Sequence, residues 1–501
     1  MTTATTASST PAATLVLFGA RGDLVRRLLV PALYDLRRSG LLPEAFLIVG
    51  VDRVEGDTGN WRDSLRDFLA ETTRDPLAEF QATGIDAEIW NWLAGRLEYV
   101  RLDFAESDGL AGLRPHVSGN AIFYLAVPSR LFGPVIGELA KAGLLDETPA
   151  SFRRVVVEKP FGLDLASAQA LNRQCAAVMK SEQIFRIDHF LGKEEVRNIL
   201  ITRFANMLFE PVWNSRFIDN VQISATETIT VGTRGAFYES TGALRDMVPN
   251  HLFQLLSLVA MEPPTSLAGA GLSEARQALF EAIEPVQPGD VVRGQYEAGV
   301  VAGEAVPAYR ATPGVDPHSR VETFVALKLH VDTPRWEGVP FYLRTGKAMG
   351  SRVTEVVVTF RAAEALAEVK GADRPNRIIF RIQPDGGVRI GFEGLAQGPG
   401  LSKTAMVARM FEREFSPVHP DVGYEALLYG CLHGDHTLFQ RADNVERAWA
   451  VLEPVLQAWK DGGAPESYSA GSDGPAGARE LLARDGRAWE KATETDGQVG
   501  S

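Results

Sequence analysis

Residues 14–53 read TLVLFGARGDLVRRLLVPALYDLRRSGLLPEAFLIVGVDR, and this stretch decides the class of fold. An apolar strand candidate leads into the turn Gly19-Ala20-Arg21-Gly22, a helical stretch follows, and a second apolar strand candidate ends at Asp52 and Arg53. This order of strand, glycine-bearing turn and helix predicts a parallel α/β unit that binds a nucleotide. The alternative is a plain turn, because a single Gly-x-x-Gly is a weak motif.

The same alternation continues along the next part of the chain. Two further apolar strand candidates are NAIFYLAVP at 120–128 and RRVVVEKP at 153–160, with helical stretches between and after them, and the last of these helices leads into IFRIDHF at a strand-to-helix junction. We therefore expect a doubly wound, Rossmann-like parallel sheet in a dinucleotide-binding domain over residues 14–188. Residues 1–13 read as a disordered leader that has neither the basic start nor the apolar stretch of a secretory signal.

The pattern changes beyond residue 215 to strands with period-two alternation. The segments are VQISATETI, RVETFVALKLHV, PFYLRT, TEVVVTF, RIIFRIQP and GGVRIGF. Strands without regular intervening helices predict a large antiparallel sheet with helices, and hence an α+β domain over residues 189–490. A helical block is expected at 403–460 and a tail at 491–501.

Composition narrows the classes of function. The chain has 501 residues, is 45% hydrophobic and carries a net charge of −13, which argues against nucleic acid as its main ligand but leaves small phosphorylated ligands open. Its two cysteines, Cys175 and Cys431, lie far apart in no metal-like spacing, which fits a reducing compartment. No apolar run has the length of a membrane span, so we expect a cytoplasmic protein.

The nonapeptide RIDHFLGKE at residues 186–194 places an Asp–His pair just ahead of a glycine and a lysine. Because the following residues have helical spacing, Gly192 and Lys193 should lie at or near a helix N-terminus, where a cation opposes the helix dipole. A phosphate bridging Lys193 and the free N–H groups would explain this placement. The alternative is a surface turn in which Glu194 and Glu195 neutralise the lysine.

Other polar residues are also candidates for a site. Glu227 falls on the apolar face of its strand, so its carboxylate needs either a ligand or a structural salt bridge. His251 begins an apolar helical segment and is either a core histidine or an acid/base group assisted by Asp246 or Asp188. The strand-end lysines Lys159 and Lys347 are either anion contacts or exposed side chains.

The end of the second strand gives two opposite indications of the cofactor. An acid such as Asp52 usually holds the ribose 2′-hydroxyl of NAD, whereas a basic residue such as Arg53 can neutralise the 2′-phosphate of NADP. The sequence alone leaves both open.

Six motifs together resemble the glucose-6-phosphate dehydrogenase family: the GDL turn, FYLAVP, VVVEKPFG, RIDHFLGKE, GALRDMVPNHLFQLL and LRTGK. The resemblance extends from about residue 15 to residue 490. It implies oxidation of glucose 6-phosphate to the lactone at the entry of the pentose phosphate pathway, with hydride passing to NADP and with NAD as the alternative acceptor. It also implies a homodimer or homotetramer built through the antiparallel sheet, and no bound metal.

The resemblance assigns roles to particular residues. His251 is the expected general base, and Asp188 is the carboxylate that orients its imidazole. The expected substrate contacts are His189, Lys193, Glu227, Asp246, Lys347, Lys159, Gln383 and Arg352. The expected cofactor contacts are Gly19, Ala20, Gly22, Asp23, Leu24, Arg53 and Lys159.

This chain departs from the family pattern at four positions. Leu28 replaces a lysine after GDL, and Phe190 replaces the tyrosine of DHYLGKE, which removes a hydroxyl donor to the phosphate. Arg21 replaces a small residue in the turn, and Asp52 replaces a small residue beside Arg53. These departures keep a second hypothesis open, that of a paralogous sugar dehydrogenase with another substrate or with NAD.

Overall fold

The computed structural model describes residues 10–75, 78–104, 109–267, 269–363, 369–370, 374–411 and 422–491. Most of the predicted leader and tail therefore lie outside the described residues. None of the helices in these ranges is long and apolar enough to cross a membrane. Cys175 and Cys431 are buried free thiols.

The strands are β1 (Ala13–Phe18), β2 (Phe46–Asp52), β3 (Leu97–Arg101), β4 (Ala121–Leu125), β5 (Arg153–Val157), β6 (Ile184–Arg186), β7 (Ile218–Thr226), β8 (Val291–Glu297), β9 (Gly299–Val301), β10 (Glu304–Val306), β11 (Phe324–Leu329), β12 (Phe341–Gly346), β13 (Val353–Phe360), β14 (Arg377–Gln383), β15 (Gly387–Leu395), β16 (Lys403–Phe411) and β17 (Glu466–Ser469). The α-helices are α1 (Val30–Arg38), α2 (Thr58–Thr72), α3 (Ala87–Ala94), α4 (Phe132–Lys141), α5 (Leu165–Ala176), α6 (His189–Gly192), α7 (Glu194–Phe204), α8 (Gly235–Met247), α9 (Phe253–Ala260), α10 (Ala270–Ala282), α11 (Glu425–His433), α12 (Ala442–Asp461) and α13 (Ala476–Ala483).

The first sheet has the strand order β3-β2-β1-β4-β5-β6, and every pair is parallel. This confirms the predicted doubly wound sheet. The sequence pattern missed β3, LEYVR, because it is an edge strand on which charged residues alternate with apolar ones. Strand β1 begins at Ala13, one residue inside the predicted leader.

Among the described residues, the second sheet has nine strands, in the order β16-β15-β14-β13-β7-β12-β11-β8-β17. The predicted large antiparallel sheet with helices is confirmed in most of its strand pairs, and two pairs make the sheet mixed, since β7 pairs with β12 and β8 pairs with β17 in parallel. Neighbouring parallel strands need long connections, and the helices between β7 and β12 supply one of them. The predicted helical block at 403–460 was wrong at its start, where β16 forms the edge of the sheet.

The polar face predicted for β7 is buried. Gln222 and Ser224 are 5% and 3% exposed, because the chain near its C-terminus crosses this face of the sheet. The Gln222 side chain donates to the Ala488 carbonyl and accepts from the Glu490 N–H at 2.9 and 2.8 Å. Polar partners from the terminal segment therefore replace water on this face.

Residues from late in the chain complete the hydrophobic core of the first unit, which is the part of the molecule built on the parallel sheet. Val422, Tyr424, Leu427 and Cys431 belong to the same hydrophobic cluster as β1 and α1. Close approach at Gly192 and Gly423 permits this docking, because a Cβ on Gly192 would overlap the Gly423 carbonyl oxygen, and Gly423 itself has φ +84°. The boundary predicted between residues 188 and 189 stays a prediction.

We expect Gly192→Ala to destabilise the protein by about 1–3 kcal/mol, the usual cost of overpacking, because the new methyl group meets backbone. Gly137→Ala, in α4, is the matched control, since no atom lies within 4 Å of its Cβ position. Alanine should raise the free energy of unfolding there by about 0.5–1 kcal/mol, because it favours a helix more than glycine does. Denaturant unfolding measures both changes. Equal stability of Gly192→Ala and the wild type would contradict the close approach.

Candidate active site

A buried Asp–His pair joins the two units. Asp188 follows β6 and caps the short helix α6, where its Oδ1 accepts from the Phe190 N–H at 3.1 Å. His251 lies in a π-helical turn, Val248–Leu252, that separates α8 from α9. The distance from His251 Nδ1 to Asp188 Oδ1 is 2.6 Å, and the two side chains are 2% and 0% exposed. Because Asp188 occupies Nδ1, Nε2 is the nitrogen left for a substrate proton.

Opposing effects set the charges of this pair. Burial raises the pKa of Asp188, but the charge and hydrogen bond of His251 outweigh burial and lower it to about 2. Burial also lowers the pKa of His251 below its ordinary 6.5, while Asp188 opposes that decrease. The pair therefore holds a carboxylate beside a neutral imidazole at neutral pH, as a general base requires.

Aromatic rings fix the orientation of the base. The Phe190 ring stacks on the His251 imidazole, with centroids 4.1 Å apart and planes 16° apart. The His189 ring meets His251 edge-on at 4.8 Å.

Lys193 is the N-cap residue of α7, as predicted for the glycine and lysine of RIDHFLGKE, and its Nζ lies 5.5 Å from the Phe190 ring.

Two carboxylate–ammonium pairs lie near the base. Lys159, just after β5, bonds the Asp246 carboxylate at 3.0 Å and the Asp246 carbonyl at 3.2 Å. Lys347 pairs with Glu227 where β12 and β7 end side by side. Burial raises the pKa of Asp246, but the charges of Lys159 and Lys347 outweigh it and lower this pKa. The two pairs are thus close enough to act on each other.

The weaker candidates lie at the same end of the large sheet. The Arg352 guanidinium donates to the Gln383 side chain at 3.3 Å. Thr354, two residues after Arg352, is the register partner of Gln383, and Val353 is the partner of Thr226. The fold therefore brings Glu227, Lys347, Arg352 and Gln383 to neighbouring strand ends.

The glycine-bearing turn has the close backbone packing of a dinucleotide site. Gly19 has φ +78°, and a Cβ there would lie 2.5 Å from the Ala126 carbonyl oxygen. The N–H groups of Gly19 and Ala20 bond to the Val51 carbonyl, and the Gly22 N–H bonds to Gly19. The donors available to a pyrophosphate therefore come from the first helical turn, at and after Asp23 and Leu24. The Asp23 carboxylate faces Arg26 and Arg27.

The two residues that end β2 have different environments. The Asp52 carboxylate is buried and accepts from the N–H groups of Arg21 and Val54 at 3.1 and 3.2 Å. Arg53 and Arg21 are exposed, and the Arg21 guanidinium donates to the Glu55 carbonyl at 2.9 Å. Asp52 therefore shapes the loop, while cationic groups face outward beside it. This arrangement fits a 2′-phosphate.

Metal binding is geometrically conceivable at the Asp–His pair. Asp188, His189 and His251 bring possible ligand atoms within 4.8 Å of one another. The 2.6 Å hydrogen bond instead commits His251 Nδ1 to the Asp188 carboxylate, so this nitrogen is not left for a metal ion. The absence of a metal stays a prediction.

Sequence reasoning missed several residues of this site. The Gln440 side chain donates to Asp188 Oδ2 at 3.4 Å, and both are buried. Tyr424 lies beside His189, and Glu158 precedes Lys159. Gln440 and Tyr424 come from segments more than 200 residues further along the chain, with no local motif. Glu158 lies inside VVVEKPFG, and the sequence pattern there pointed only to the neighbouring Lys159.

A doubly wound sheet with a glycine-bearing turn after its first strand and a buried Asp–His pair after its last strand is typical of a nicotinamide-dependent dehydrogenase. Residues 16–198 match the family model of the glucose-6-phosphate dehydrogenase NAD-binding domain, and residues 200–490 match that of its C-terminal domain. The chain belongs to the glucose-6-phosphate dehydrogenase family. Membership makes it an oxidoreductase that oxidises glucose 6-phosphate with NADP, the entry step of the pentose phosphate pathway.

Individual proteins show the same similarity. A glucose-6-phosphate 1-dehydrogenase of Mycolicibacterium smegmatis is 44% identical over 492 residues, covering 95% of this chain and 96% of the relative. One from Chlamydia muridarum is 40% identical, covering 96% and 97%. A glucose-6-phosphate dehydrogenase solved with its substrate glucose 6-phosphate superposes with TM-score 0.85 at 30% identity, covering 96% and 99%. The Mycobacterium avium enzyme gives TM-score 0.82 at 34% identity, with the same coverage.

Replacing Asp188 with Asn keeps the side-chain shape but removes the charge that raises the pKa of His251. The base must be neutral to accept a proton, so activity falls as the pH drops through its pKa. We expect the acid limb of kcat/KM to move to lower pH in Asp188→Asn, while the plateau falls by roughly 10²-fold or more. A pH–rate profile measures both. An acid limb that does not move would show that another group titrates there.

Proposed function

We propose that His251 is the general base in the oxidation of glucose 6-phosphate to its lactone, and that Asp188 supports it. The observation that carries this proposal is the buried 2.6 Å hydrogen bond at Nδ1, which fixes the tautomer and leaves Nε2 as the acceptor. His251 takes the proton of the anomeric hydroxyl while the C–H bond at the same carbon gives up its hydride. Asp188 then stabilises the imidazolium that forms.

The sugar phosphate binds at α6 and the start of α7 in this proposal. His189 and Lys193 hold it, and the N–H groups that open α7 add donors beside Lys193. Burial and the charges of His251 and Lys193 hold the pKa of His189 well below its ordinary value. His189 is therefore neutral before the ligand binds. The dianionic phosphate compensates the positive charge of Lys193.

The sugar hydroxyls lie between the two carboxylate–ammonium pairs. Glu227 and Asp246 accept hydrogen bonds, and Lys347 and Lys159 donate them. Arg352 and Gln383 border the same sheet end as outer contacts. Because each charge already has an opposite partner, the site can face a neutral sugar ring without a large unpaired charge.

The residues that surround the dinucleotide turn fit NADP. A nicotinamide cofactor bound at this turn would supply the hydride acceptor. The first helical turn at Asp23 and Leu24 would hold the pyrophosphate, Arg53 would contact the 2′-phosphate, and Lys159 would lie between cofactor and sugar. The glycines let the backbone of this turn pack closely, since a Cβ on Gly19 would overlap the Ala126 carbonyl oxygen.

The chain forms a homodimer or homotetramer through its large sheet in this proposal. The edge strand β16 and its neighbour β15 expose several apolar side chains: Phe392, Leu395, Met406, Val407 and Met410. An exposed apolar edge strand is an aggregation hazard for a monomer unless a partner covers it. Light scattering that gave the mass of one chain would contradict this assembly. A cytoplasmic location stays a prediction from the sequence.

We expect His251→Asn to lower turnover by roughly 10² to 10⁴-fold, the range for loss of a general base, with little change in substrate affinity. NADPH absorbance with glucose 6-phosphate measures kcat and KM. Other sugars and NAD, tested against the wild type, serve as the control for specificity. A wild type that is inactive with glucose 6-phosphate, or a variant that loses affinity and turnover equally, would contradict the proposal.

We expect Arg53→Ala to lower the preference for NADP over NAD by about 10-fold or more, because a charge-assisted hydrogen bond is typically worth about 1.5–3 kcal/mol. The ratio of the two kcat/KM values measures this preference. Arg66→Ala, which removes an exposed arginine of α2, is the charge-matched control. An unchanged ratio in Arg53→Ala would place the 2′-phosphate elsewhere.

A further inference from the structure

A partly buried carboxylate with no assigned role lies beside the active site. Glu158 follows β5 and directly precedes Lys159. In the described part of the chain it forms no ion pair. The Tyr124 phenol, in β4, donates a hydrogen bond to it, and the Tyr424 phenol, at the start of α11, is a second hydrogen-bonding group that lowers its pKa. Both tyrosines are buried, with 0% and 2% exposure.

Burial and the two phenols have opposite effects on the charge of this carboxylate. Burial raises the pKa of Glu158 to about 7, and the hydrogen bonds from Tyr124 and Tyr424 are the largest effects that oppose the rise. The charge of Lys159 also opposes it, whereas the charge of Asp188 adds to it. Loss of either phenol would therefore raise the pKa of Glu158 further. The carboxylate would then be ionised less often and would hydrogen-bond the remaining tyrosine more weakly.

Tyr424 also contacts the group proposed to hold the phosphate. Its ring plane lies 3° from that of His189, with centroids 6.2 Å apart, which is an offset parallel arrangement. His189 also meets the His251 ring, with the two planes 78° apart. The close approach of Gly192 and Gly423 brings this tyrosine to α6. Tyr424 thus interacts with both Glu158 and His189.

We propose that Glu158 and Tyr424 are positioning residues that hold His189 in place for the sugar phosphate. The inference rests on the proposed assignment of His189 to that phosphate. Tyr424 limits the movement of the His189 ring, and Glu158 fixes Tyr424 through its hydroxyl. Neither residue needs to touch the reacting atoms. Their effect should therefore appear in substrate affinity more than in turnover.

Tyr424→Phe and Tyr124→Phe form a matched pair, because each removes one phenol donor from the same carboxylate and only Tyr424 contacts His189. We expect Tyr424→Phe to raise KM for glucose 6-phosphate, and the inhibition constant of inorganic phosphate, by about 2- to 10-fold, the equivalent of one hydrogen bond. KM for NADP and kcat should change less. Tyr124→Phe should raise KM for glucose 6-phosphate less than Tyr424→Phe does.

A double-mutant cycle with His189→Ala tests whether Tyr424 acts through His189. We expect Tyr424→Phe to have no further effect on KM for glucose 6-phosphate once His189 is alanine. Additive effects, or an unchanged KM in Tyr424→Phe while His189→Ala raises it, would overturn the inference. If His189→Ala itself leaves KM and phosphate inhibition unchanged, the proposed assignment of His189 to the phosphate is wrong, and the role of Tyr424 falls with it. Thermal unfolding of each variant separates these outcomes from loss of the fold.

Discussion

The hydrogen bond between Asp188 and His251 is the interaction on which the rest of the site depends. It connects residues 63 positions apart, one after the last strand of the parallel sheet and the other in a π-helical turn of the second unit. A general base needs a fixed tautomer, and only a partner held as rigidly as the base can supply it. Asp188 meets that need because it also caps α6 and accepts from Gln440.

The charges around this pair are arranged in compensating sets. An unpaired carboxylate in a buried site is costly, and each acid near His251 has a partner. Asp188 has the imidazole, Asp246 has Lys159, and Glu227 has Lys347. This arrangement lets the site hold several carboxylates without becoming strongly anionic. A strongly anionic site would repel a sugar phosphate. It also leaves His251 as the group whose charge changes in the reaction.

Local pattern predicted most of the first sheet and part of the site. Five of the six parallel strands were recognised, most of them from their apolar runs, whereas the short edge strand β3, which carries Glu98 and Arg101, was missed. Strand β16, KTAMVARMF, was taken for helix because alanine, methionine and arginine favour helices. Glu227 was found because it interrupts an alternating pattern. Tyr424 and Gln440 could not be found, since only tertiary contact brings them to Asp188 and His189.

The dependence of the first unit on residues 422–439 has a consequence for how the chain is made. A ribosome releases the six parallel strands long before it synthesises Val422, Leu427 and Phe439, which belong to the same hydrophobic cluster as β1 and α1. Contacts of such long sequence separation form late. Until then the N-terminal half must persist with part of its apolar surface uncovered. The nascent chain thus has a long interval in which chaperone binding would protect it.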